Sequence, residues 1–281
     1  MASFEFDQAE GLRRMAAGVK PRVFTFLSSA SPDEKQGMLV NLAASLRRVG
    51  SDVMLVDACS PARGIGPRLG AQPPASLLEV ARGERLFEHA LRITDQGFAY
   101  ASLTRGVTPD SSDGSALNEV FSRLRQHADV LLADADLDAQ GALPVQCMED
   151  GEIVVQVANQ ADSIKHAYLL IKQLNGQVGR RTFSVVVSGA SEKEAQRVYA
   201  NLAQTASRYL AVELRLIGAV PADEHLRRAG RLEKPVVEAF PLAAASVAFR
   251  QIAGWLAQQN MFSARHDGWQ GRSPELAAAG V

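Results

Sequence analysis

Residues 23–37 read VFTFLSSASPDEKQG, and this stretch, with the helix that follows it, decides the fold. Its first residues are mostly apolar, the next are polar, and Leu39, Leu42 and Leu46 then recur at helical spacing. A strand, a turn and an amphipathic helix in this order are typical of phosphate-binding loops, in which backbone N–H groups and a lysine hold the phosphates. The stretch therefore predicts the start of an α/β sheet and makes Lys35 a candidate phosphate ligand.

The loop departs from a working phosphate-binding loop at most of the positions that matter. Gln36 stands where a Ser or Thr hydroxyl would hold Mg²⁺. The places of the loop glycines are filled by Ser31, Pro32 and Glu34. Pro32 has no N–H to donate, and the carboxylates of Asp33 and Glu34 would repel a phosphate. A strand, turn and helix with one lysine is also common as a purely structural unit, so both interpretations stay open at this point.

The rest of the chain alternates apolar strands with helices. Strands are predicted at residues 53–56, 98–102, 130–133, 153–157, 183–187 and 214–220. Helices are predicted at residues 76–81, 86–92, 117–127, 163–174, 192–209 and 244–259, with a polar loop at 104–115. This alternation predicts an α/β fold with a single doubly wound, mostly parallel sheet flanked by helices.

Length and composition predict how this fold is organised along the chain. The 281 residues, 47% of them hydrophobic, suffice for one large α/β domain. We expect that domain at residues 21–259, a tethered helix at 1–20 and a tail at 260–281.

Charge and composition exclude several classes of function. The formal net charge of −1 gives no basic surface for nucleic acid, so direct nucleic-acid binding is not expected. The two cysteines, Cys59 and Cys147, fit a reduced compartment. The chain opens with no secretory signal, and it has no apolar stretch of about 18 residues. We therefore expect a cytoplasmic protein.

Two of the predicted strands end in a carboxylate. Asp57 and Asp134 each follow a run of apolar residues. An apolar strand that ends in Asp is the form in which nucleotide-hydrolysing enzymes hold Mg²⁺. Asp136 and Asp138 continue the acidic alternation after Asp134, which fits either a cation site or a solvated acidic turn.

Taken in order, these segments resemble the MinD/ParA family of deviant P-loop ATPases. The loop at residues 23–37 is followed by Asn41-Leu42-Ala43, by the strand that ends in Asp57 and, much later, by Gly218-Ala219-Val220-Pro221 with Asp223. The similarity covers residues 4–258. Within the family the chain is most similar to the FlhG group, also called FleN, whose members regulate flagellar number.

The resemblance implies that the ATPase site of this chain is degenerate. The family's nucleotide-binding positions are occupied by Lys35, Gln36, Asp57, Asp134 and Ser188. Of these, Gln36 replaces the hydroxyl that binds Mg²⁺, and Ser188 replaces the asparagine that reads the adenine edge. We therefore expect no catalytic residue, no metal site and no required cofactor, with weak binding of ATP or ADP and Mg²⁺ as the upper limit.

Two further family positions are also replaced. Cys59 stands where a second aspartate would orient the attacking water, and a thiol with an ordinary pKa of about 8.5 cannot replace that carboxylate. Ala30 stands where family members carry a second lysine, which reaches the partner's phosphates in the ATP-bound dimer. The resemblance therefore implies that dimerisation of this chain does not depend on ATP.

The first 20 residues carry a separate motif. Asp7, Gln8 and Ala9 are followed, after two residues, by Leu12 and Arg13. Ala9 and Leu12 fall at helical spacing and Asp7 is a suitable N-cap, although the same pattern is also found in frayed termini. This spacing matches the DQAxxLR element of the FlhG group, which activates FlhF, a GTPase of the signal-recognition-particle type. The resemblance thus implies that these five residues bind an FlhF-like GTPase.

The sequence is best interpreted as a regulator of flagellar placement or number on a degenerate ATPase scaffold. The resemblance implies flagellar C-ring proteins and a flagellar transcription activator as further partners. Two alternatives stay open: a functional MinD/ParA-like ATPase that cycles between a monomer and an ATP-bound dimer to position cellular cargo, and a ParA-like factor with no flagellar role. The helix at 244–259 has only Arg250 on its polar side, so core packing is favoured over membrane contact.

Overall fold

A computed structural model gives the fold and describes residues 22–60, 63–70, 72–107, 109–110 and 112–258. The predicted helix at 1–20 and the predicted tail at 260–281 lie outside these described residues. Within the described part of the chain, none of the helices combines the length and the apolar character needed to cross a membrane.

The described residues form one sheet of eight strands. The strands are β1 (Arg22–Ser28), β2 (Val53–Ala58), β3 (Arg92–Ile93), β4 (Ala99–Ser102), β5 (Val130–Ala135), β6 (Glu152–Ala158), β7 (Phe183–Ser188) and β8 (Leu214–Val220). Their order across the sheet is β3-β4-β2-β5-β1-β6-β7-β8. Every pairing is parallel except that of β3 with β4. The predicted α/β fold with a single, mostly parallel sheet is therefore confirmed.

Helices cover both faces of this sheet. They are α1 (Pro32–Arg48), α2 (Gly66–Leu69), α3 (Leu77–Ala81), α4 (Asp113–Gln126), α5 (Ala161–Val178), α6 (Glu192–Leu210), α7 (Glu224–Arg231), α8 (Val236–Ala239) and α9 (Ala244–Gln258). Alternate residues of β1 face different cores, because successive side chains of a strand point to opposite faces. Val23 and Leu27 belong to the core with α4, α5 and α6, whereas Phe24 and Phe26 belong to the core with α1 and α9.

The last helix, α9, packs against the sheet and against α1. Phe249, Ile252 and Leu256 are buried in the same core as the apolar face of α1. Gly218 of β8 lies so close to Ile252 that a Cβ at this position would overlap that side chain. The core packing predicted for residues 244–259 is therefore confirmed for the described part of that helix.

The register of the parallel strands brings their carboxyl ends to one edge of the sheet. Asp57 of β2 pairs with Asp134 of β5, and Ser28 of β1 pairs with Gln156 of β6. Ser188 ends the neighbouring strand β7 at the same edge. The first turn of α1 begins here as well, directly after β1. In open α/β sheets this edge is where ligands bind, and Asp57, Asp134 and Ser188 lie along it.

The segment between α3 and β4 differs from its prediction. Residues 86–92 were predicted as a helix, but they form one short 3₁₀ turn at Phe87–Ala90 and then strand β3. Arg92 pairs there with Tyr100 of β4 in an antiparallel hairpin. The predicted helix is therefore present only as the 3₁₀ turn at Phe87–Ala90. It does not reach Arg92, because strand pairing, a tertiary effect, outweighs the local apolar pattern there.

The start of α4 also differs from its prediction. The helix begins at Asp113 rather than at residue 117, inside the segment predicted as a loop. The Asp113 carboxylate accepts two bonds from the Arg82 guanidinium, at 3.0 and 2.7 Å, and one from the backbone N–H of Asp110 at 2.8 Å. These contacts fix the first turn of a polar segment that the sequence pattern alone assigned to a loop. The short helices α2, α7 and α8 were not predicted either.

Candidate functional site

Lys35 lies in the first turn of α1, and its side chain turns into the protein. Its ammonium nitrogen is 2.5 Å from Oδ1 of Asp134 and 2.8 Å from the carbonyl oxygen of Ala135. The same nitrogen is 3.2 Å from Sγ of Cys59 and 3.2 Å from Oδ1 of Asp136. Only 3% of the Lys35 side chain is exposed. The residue predicted as a phosphate ligand is thus a buried link between α1 and the ends of β2 and β5.

Asp57 organises the loop that follows β2. Its carboxylate accepts hydrogen bonds from the backbone N–H groups of Cys59, at 3.1 Å, and Ile65, at 2.8 Å. The N–H of Gly66 and the hydroxyl of Tyr100 donate two further bonds, at 3.4 and 3.2 Å. Burial raises the pKa of Asp57, and these donors limit the rise. The carboxylate is therefore engaged in holding the loop.

Gln36 ties α1 to the same loop. Its side-chain amide donates to the carbonyl oxygens of Arg63 and Gly64, at 3.3 and 3.0 Å. Gly64 lies directly against Asp57, and a Cβ at this position would overlap the carboxylate oxygens. The residue that stands in the place of the Mg²⁺-binding hydroxyl is therefore used to fix the loop.

Asp57, Cys59 and Asp134 form a buried cluster with the donor atoms of a cation site. Their ligand atoms lie within 4.8 Å of one another. The Lys35 ammonium contacts two of the three, Cys59 and Asp134. Neither carboxylate oxygen of Asp134 has the geometry of a hydrogen bond to a described group, so the ion pair with Lys35 is what compensates its burial. The cation beside this carboxylate is supplied by the protein itself.

Burial and charge together set the protonation states in the cluster. Burial raises the pKa of Asp134 to about 6, against the lowering effect of Lys35. Burial would lower the pKa of Lys35, but the charges of Asp134 and Asp136 outweigh it, and the pKa lies above its usual value. Burial, reinforced by Asp134, raises the pKa of Cys59 well above its usual value. At pH 7 an ammonium and a carboxylate therefore face each other beside a neutral thiol.

The start of α1 is capped by the side chains of Ser31 and Glu34. Ser31 is the N-cap, and its hydroxyl accepts the N–H of Glu34 at 3.4 Å. In return the Glu34 carboxylate accepts the N–H of Ser31 at 3.2 Å and the hydroxyl of Ser31 at 2.9 Å. This reciprocal capping box also begins α3 and α6. The Glu34 carboxylate thus lies at the helix start, where a phosphate would meet the backbone donors.

Gln156 is a site residue that the sequence did not predict. It is 1% exposed, and its amide oxygen accepts the hydroxyl of Ser28 at 3.2 Å. Its amide nitrogen donates to the carbonyl oxygen of Glu34 and to the hydroxyl of Ser188, both at 3.4 Å. Gln156 therefore joins the ends of β1, β6 and β7 to α1, and it engages the serine predicted at the adenine position. The sequence feature that could have identified Gln156 is its position as the one polar residue in the apolar run at 153–157.

Asp136 and Asp138 do not assemble into a cation site with Asp134. Asp136 faces Lys35 and lies 3.4 Å from the Arg63 guanidinium. Asp138 accepts two backbone N–H groups of its own turn, at 2.9 and 2.8 Å. Of the two interpretations left open by the sequence, the acidic turn is the one that fits Asp138.

The predicted site residues fall into two groups. Lys35, Asp57 and Asp134 meet around the buried cluster, and Gln36 contacts the loop after β2. Ser188 ends β7, which β1 and β6 separate from β5, and it contacts Gln156 instead. The predicted partner-binding residues, which are Asp7, Gln8, Ala9, Leu12 and Arg13, lie outside the described residues.

A nucleoside triphosphate with Mg²⁺, the ligand that the resemblance implies, does not fit these side chains as they are placed. The Glu34 carboxylate occupies the anion position at the start of α1. The Lys35 ammonium is engaged with Asp134, and the Gln36 amide donates to two carbonyl oxygens where Mg²⁺ would need an oxygen ligand. All three contacts would have to be exchanged before such a ligand could bind.

The chain is similar to known proteins both in sequence and in fold. The chain is 30% identical over 224 residues to Antiactivator FleN of Pseudomonas aeruginosa, a match that covers 78% of this chain and 80% of FleN. Its fold is similar to that of the septum site-determining protein MinD of Pyrococcus horikoshii OT3, complexed with Mg-ADP, with a TM-score of 0.61 and 17% identity over 85% of this chain and 97% of MinD.

The fold is also similar to that of a ParA family ATPase from Chlorobium tepidum TLS. That match has a TM-score of 0.62 and 16% identity, and it covers 83% of this chain and 98% of the ATPase. A scan against protein-family models gives no match. At these identities the two solved structures show the fold alone, whereas the similarity to FleN extends to the sequence.

Proposed function

This chain belongs to the FleN group of the MinD/ParA family, and on that premise we propose that it regulates flagellar placement or number by binding partner proteins rather than by hydrolysing ATP. The observation that supports this most directly is the set of contacts made by Lys35. An ammonium held by Asp134, Ala135, Cys59 and Asp136 is not available to a phosphate. The fold then serves as a scaffold, and the activity resides in the surfaces and segments that the scaffold carries.

The first partner that we propose is an FlhF-like GTPase, bound through the DQAxxLR element. GTP hydrolysis needs a water held in line with the γ-phosphate, and the amide of Gln8 can accept from and donate to groups around that water. Ala9 and Leu12 would seat the element in an apolar groove of the partner, Asp7 would cap its helix, and Arg13 would pair with a carboxylate or phosphate. None of these roles requires a nucleotide on the larger domain.

Two further partner classes follow from the family. FleN is named an antiactivator, which supports a flagellar transcription activator as a partner of this chain as well. Flagellar C-ring proteins complete the proposal. We place this function in the cytoplasm, without direct contact to nucleic acid and with no cofactor required.

GTP turnover by the cognate FlhF-like GTPase tests the proposal. Full-length protein, and a peptide of residues 1–20, are expected to raise the turnover rate. Gln8→Ala is expected to remove most of that stimulation while binding changes little, and Leu12→Ala is expected to weaken binding. Glu10→Ala, at an unspecified position of the motif, is the matched control and should behave like the wild type.

The outcomes separate the partner from the mechanism. Equal stimulation by wild type and Gln8→Ala would disprove the role of the glutamine while leaving the partner in place. Absence of both binding and stimulation by the full-length chain would disprove the partner, and a deletion of residues 1–20 with no effect on flagellation would favour a ParA-like factor without a flagellar role.

A further inference from the structure

We propose that the site at the carboxyl ends of β1, β2 and β5 is occupied by charged side chains of the protein itself. In this self-liganded site, defined by Glu34, Lys35, Cys59 and Asp134, the Glu34 carboxylate takes the place of a bound anion and the Lys35 ammonium takes the place of a bound cation. The inference concerns the stability of the fold, so it does not rest on the partner proposed above and can fail separately from it.

The proposal has two halves, and the cation half is that the Lys35 ammonium takes the place of a bound cation. It rests on the surroundings of Lys35. A buried carboxylate such as Asp134, which is 0% exposed, needs a positive partner at close range. The Lys35 ammonium provides it at 2.5 Å, and the carbonyl oxygen of Ala135 and the carboxylate of Asp136 accept two of its other bonds. The arrangement is therefore complete without a metal ion.

The anion half is that the Glu34 carboxylate takes the place of a bound anion. It rests on the contacts at the start of α1. This helix has 17 residues, so its first turn presents unpaired N–H groups and the positive end of a helix dipole. The Glu34 carboxylate meets the N–H and the hydroxyl of Ser31, and Pro32 offers no N–H at all. Ala30 donates its N–H to the hydroxyl of Ser28. The N–H groups of Ala30, Ser31, Glu34 and Lys35 are thus satisfied inside the loop.

A self-liganded site and a vacant ligand site respond differently to the loss of Lys35. In a vacant site the lysine is free to bind the ligand. Its removal lowers the affinity for that ligand and changes the stability of the fold little. Here its removal leaves the Asp134 carboxylate buried without a partner, which is among the most destabilising single changes. Stability, rather than activity, is therefore the readout that distinguishes the two.

Urea unfolding of the full chain, followed by circular dichroism, tests the cation half. Lys35→Met is expected to raise the equilibrium constant for unfolding by on the order of 100-fold or more. The double variant Lys35→Met/Asp134→Leu is expected to recover at least about tenfold of that loss, because both members of the pair are then apolar. Lys165→Met is the matched control, since Lys165 pairs with Asp162 at 3.5 Å on the surface, with side chains 75% and 85% exposed. It should change the constant by less than about fivefold.

The results decide the proposal in each case. A Lys35→Met variant as stable as Lys165→Met would overturn it, and so would a double variant that is no more stable than Lys35→Met alone. If Lys35→Met does not fold, the double variant decides: folding supports the proposal, and failure to fold overturns it.

Thermal unfolding with inorganic sulfate, and separately with ATP and Mg²⁺, tests the anion half. The wild type is expected to show no rise in melting temperature with ATP and Mg²⁺, and with sulfate only the general salt effect that the control variant also shows, because the Glu34 carboxylate already lies at the helix start. Glu34→Gln removes the charge and should be stabilised by sulfate by about 2 °C or more. Glu194→Gln, in the capping box of α6, is the matched control without a neighbouring buried lysine. Stabilisation of the wild type by ATP with Mg²⁺, or an equal sulfate response of Glu34→Gln and Glu194→Gln, would overturn this half.

Discussion

Lys35 at the start of α1 and Asp134 at the end of β5 form a buried ion pair, with 2.5 Å between Nζ and Oδ1. The sequence resemblance assigns both residues to nucleotide binding, and here they contact each other. A single contact therefore engages both the lysine expected to bind phosphate and the carboxylate expected to bind a metal ion. The same contact fastens α1 to the centre of the sheet, because β5 lies between β1 and β2.

The first prediction concerns ATP turnover, which we expect to be at background. The resemblance implies that Gln36 replaces the Mg²⁺-binding hydroxyl and that Cys59 replaces the water-orienting carboxylate. Each such loss alone costs on the order of 100-fold in rate. A phosphate-release assay with Mg²⁺ measures this. Turnover above about 0.01 per second that is lost in a folded Lys35→Met variant would contradict the prediction and favour an active ATPase.

The second prediction is that ATP does not change the oligomeric state. Ala30 stands at the position of the second loop lysine and offers no charge to a phosphate across a dimer interface. Any dimer must then be held by protein contacts alone. Light scattering of the full chain with and without ATP and Mg²⁺ should give the same mass, whereas conversion from monomer to dimer on addition of ATP would show that the site still couples nucleotide to assembly.

The third prediction concerns the pH dependence of stability. Burial raises the pKa of Asp134 to about 6, above its ordinary value of about 3.9 in the unfolded chain. Since the folded form takes up the proton first, the cost of burying the charge is fully present above pH 6 and is relieved as the pH falls toward 4. Wild type should therefore gain about 1 kcal/mol relative to Asp134→Asn between pH 7 and pH 5. Urea unfolding of both proteins at the two pH values measures this difference, and a constant difference or one of opposite sign would refute the assignment.

The fourth prediction concerns Gly64, whose backbone lies against the Asp57 carboxylate. Gly64→Ala is expected to lower the free energy of unfolding by about 1 to 3 kcal/mol, because the new Cβ displaces a carboxylate that holds the loop after β2. Gly176→Ala is the control, since a Cβ at that position in α5 meets nothing within 4 Å. It should stabilise the helix by about 0.5 to 1 kcal/mol. Equal effects of the two substitutions would show that the loop tolerates displacement of Asp57.

The fold could be predicted from the sequence to a large extent, because apolar runs of strand length alternate with helical patterns and leave few topologies. The meeting of Asp57 and Asp134 also follows, since parallel strands present their carboxyl ends at one edge. The direction of the Lys35 side chain could not be predicted, because a lysine in the first turn of a helix can face a ligand or the core. That choice depends on Asp134, Ala135 and Cys59, which reach it only through tertiary packing. The strand at Arg92–Ile93 could not be predicted for the same reason.

The last prediction separates structural roles from ligand roles around Ser188. The resemblance implies that this position reads the adenine edge in the family. Here its hydroxyl accepts from the buried amide of Gln156 at 3.4 Å. Gln156→Leu would leave the hydroxyl of Ser28 and the carbonyl oxygen of Glu34 without this partner, so we expect a loss of about 2 to 3 kcal/mol in unfolding free energy. Ser188→Ala removes one weak acceptor and should cost less than about 1 kcal/mol. Urea unfolding compares the two, and calorimetric titration of Ser188→Ala and wild type with ATP and Mg²⁺ should show no difference in heat. A lower ATP affinity of Ser188→Ala would instead mean that the serine contacts a base, and the site would then have to open in solution to admit one.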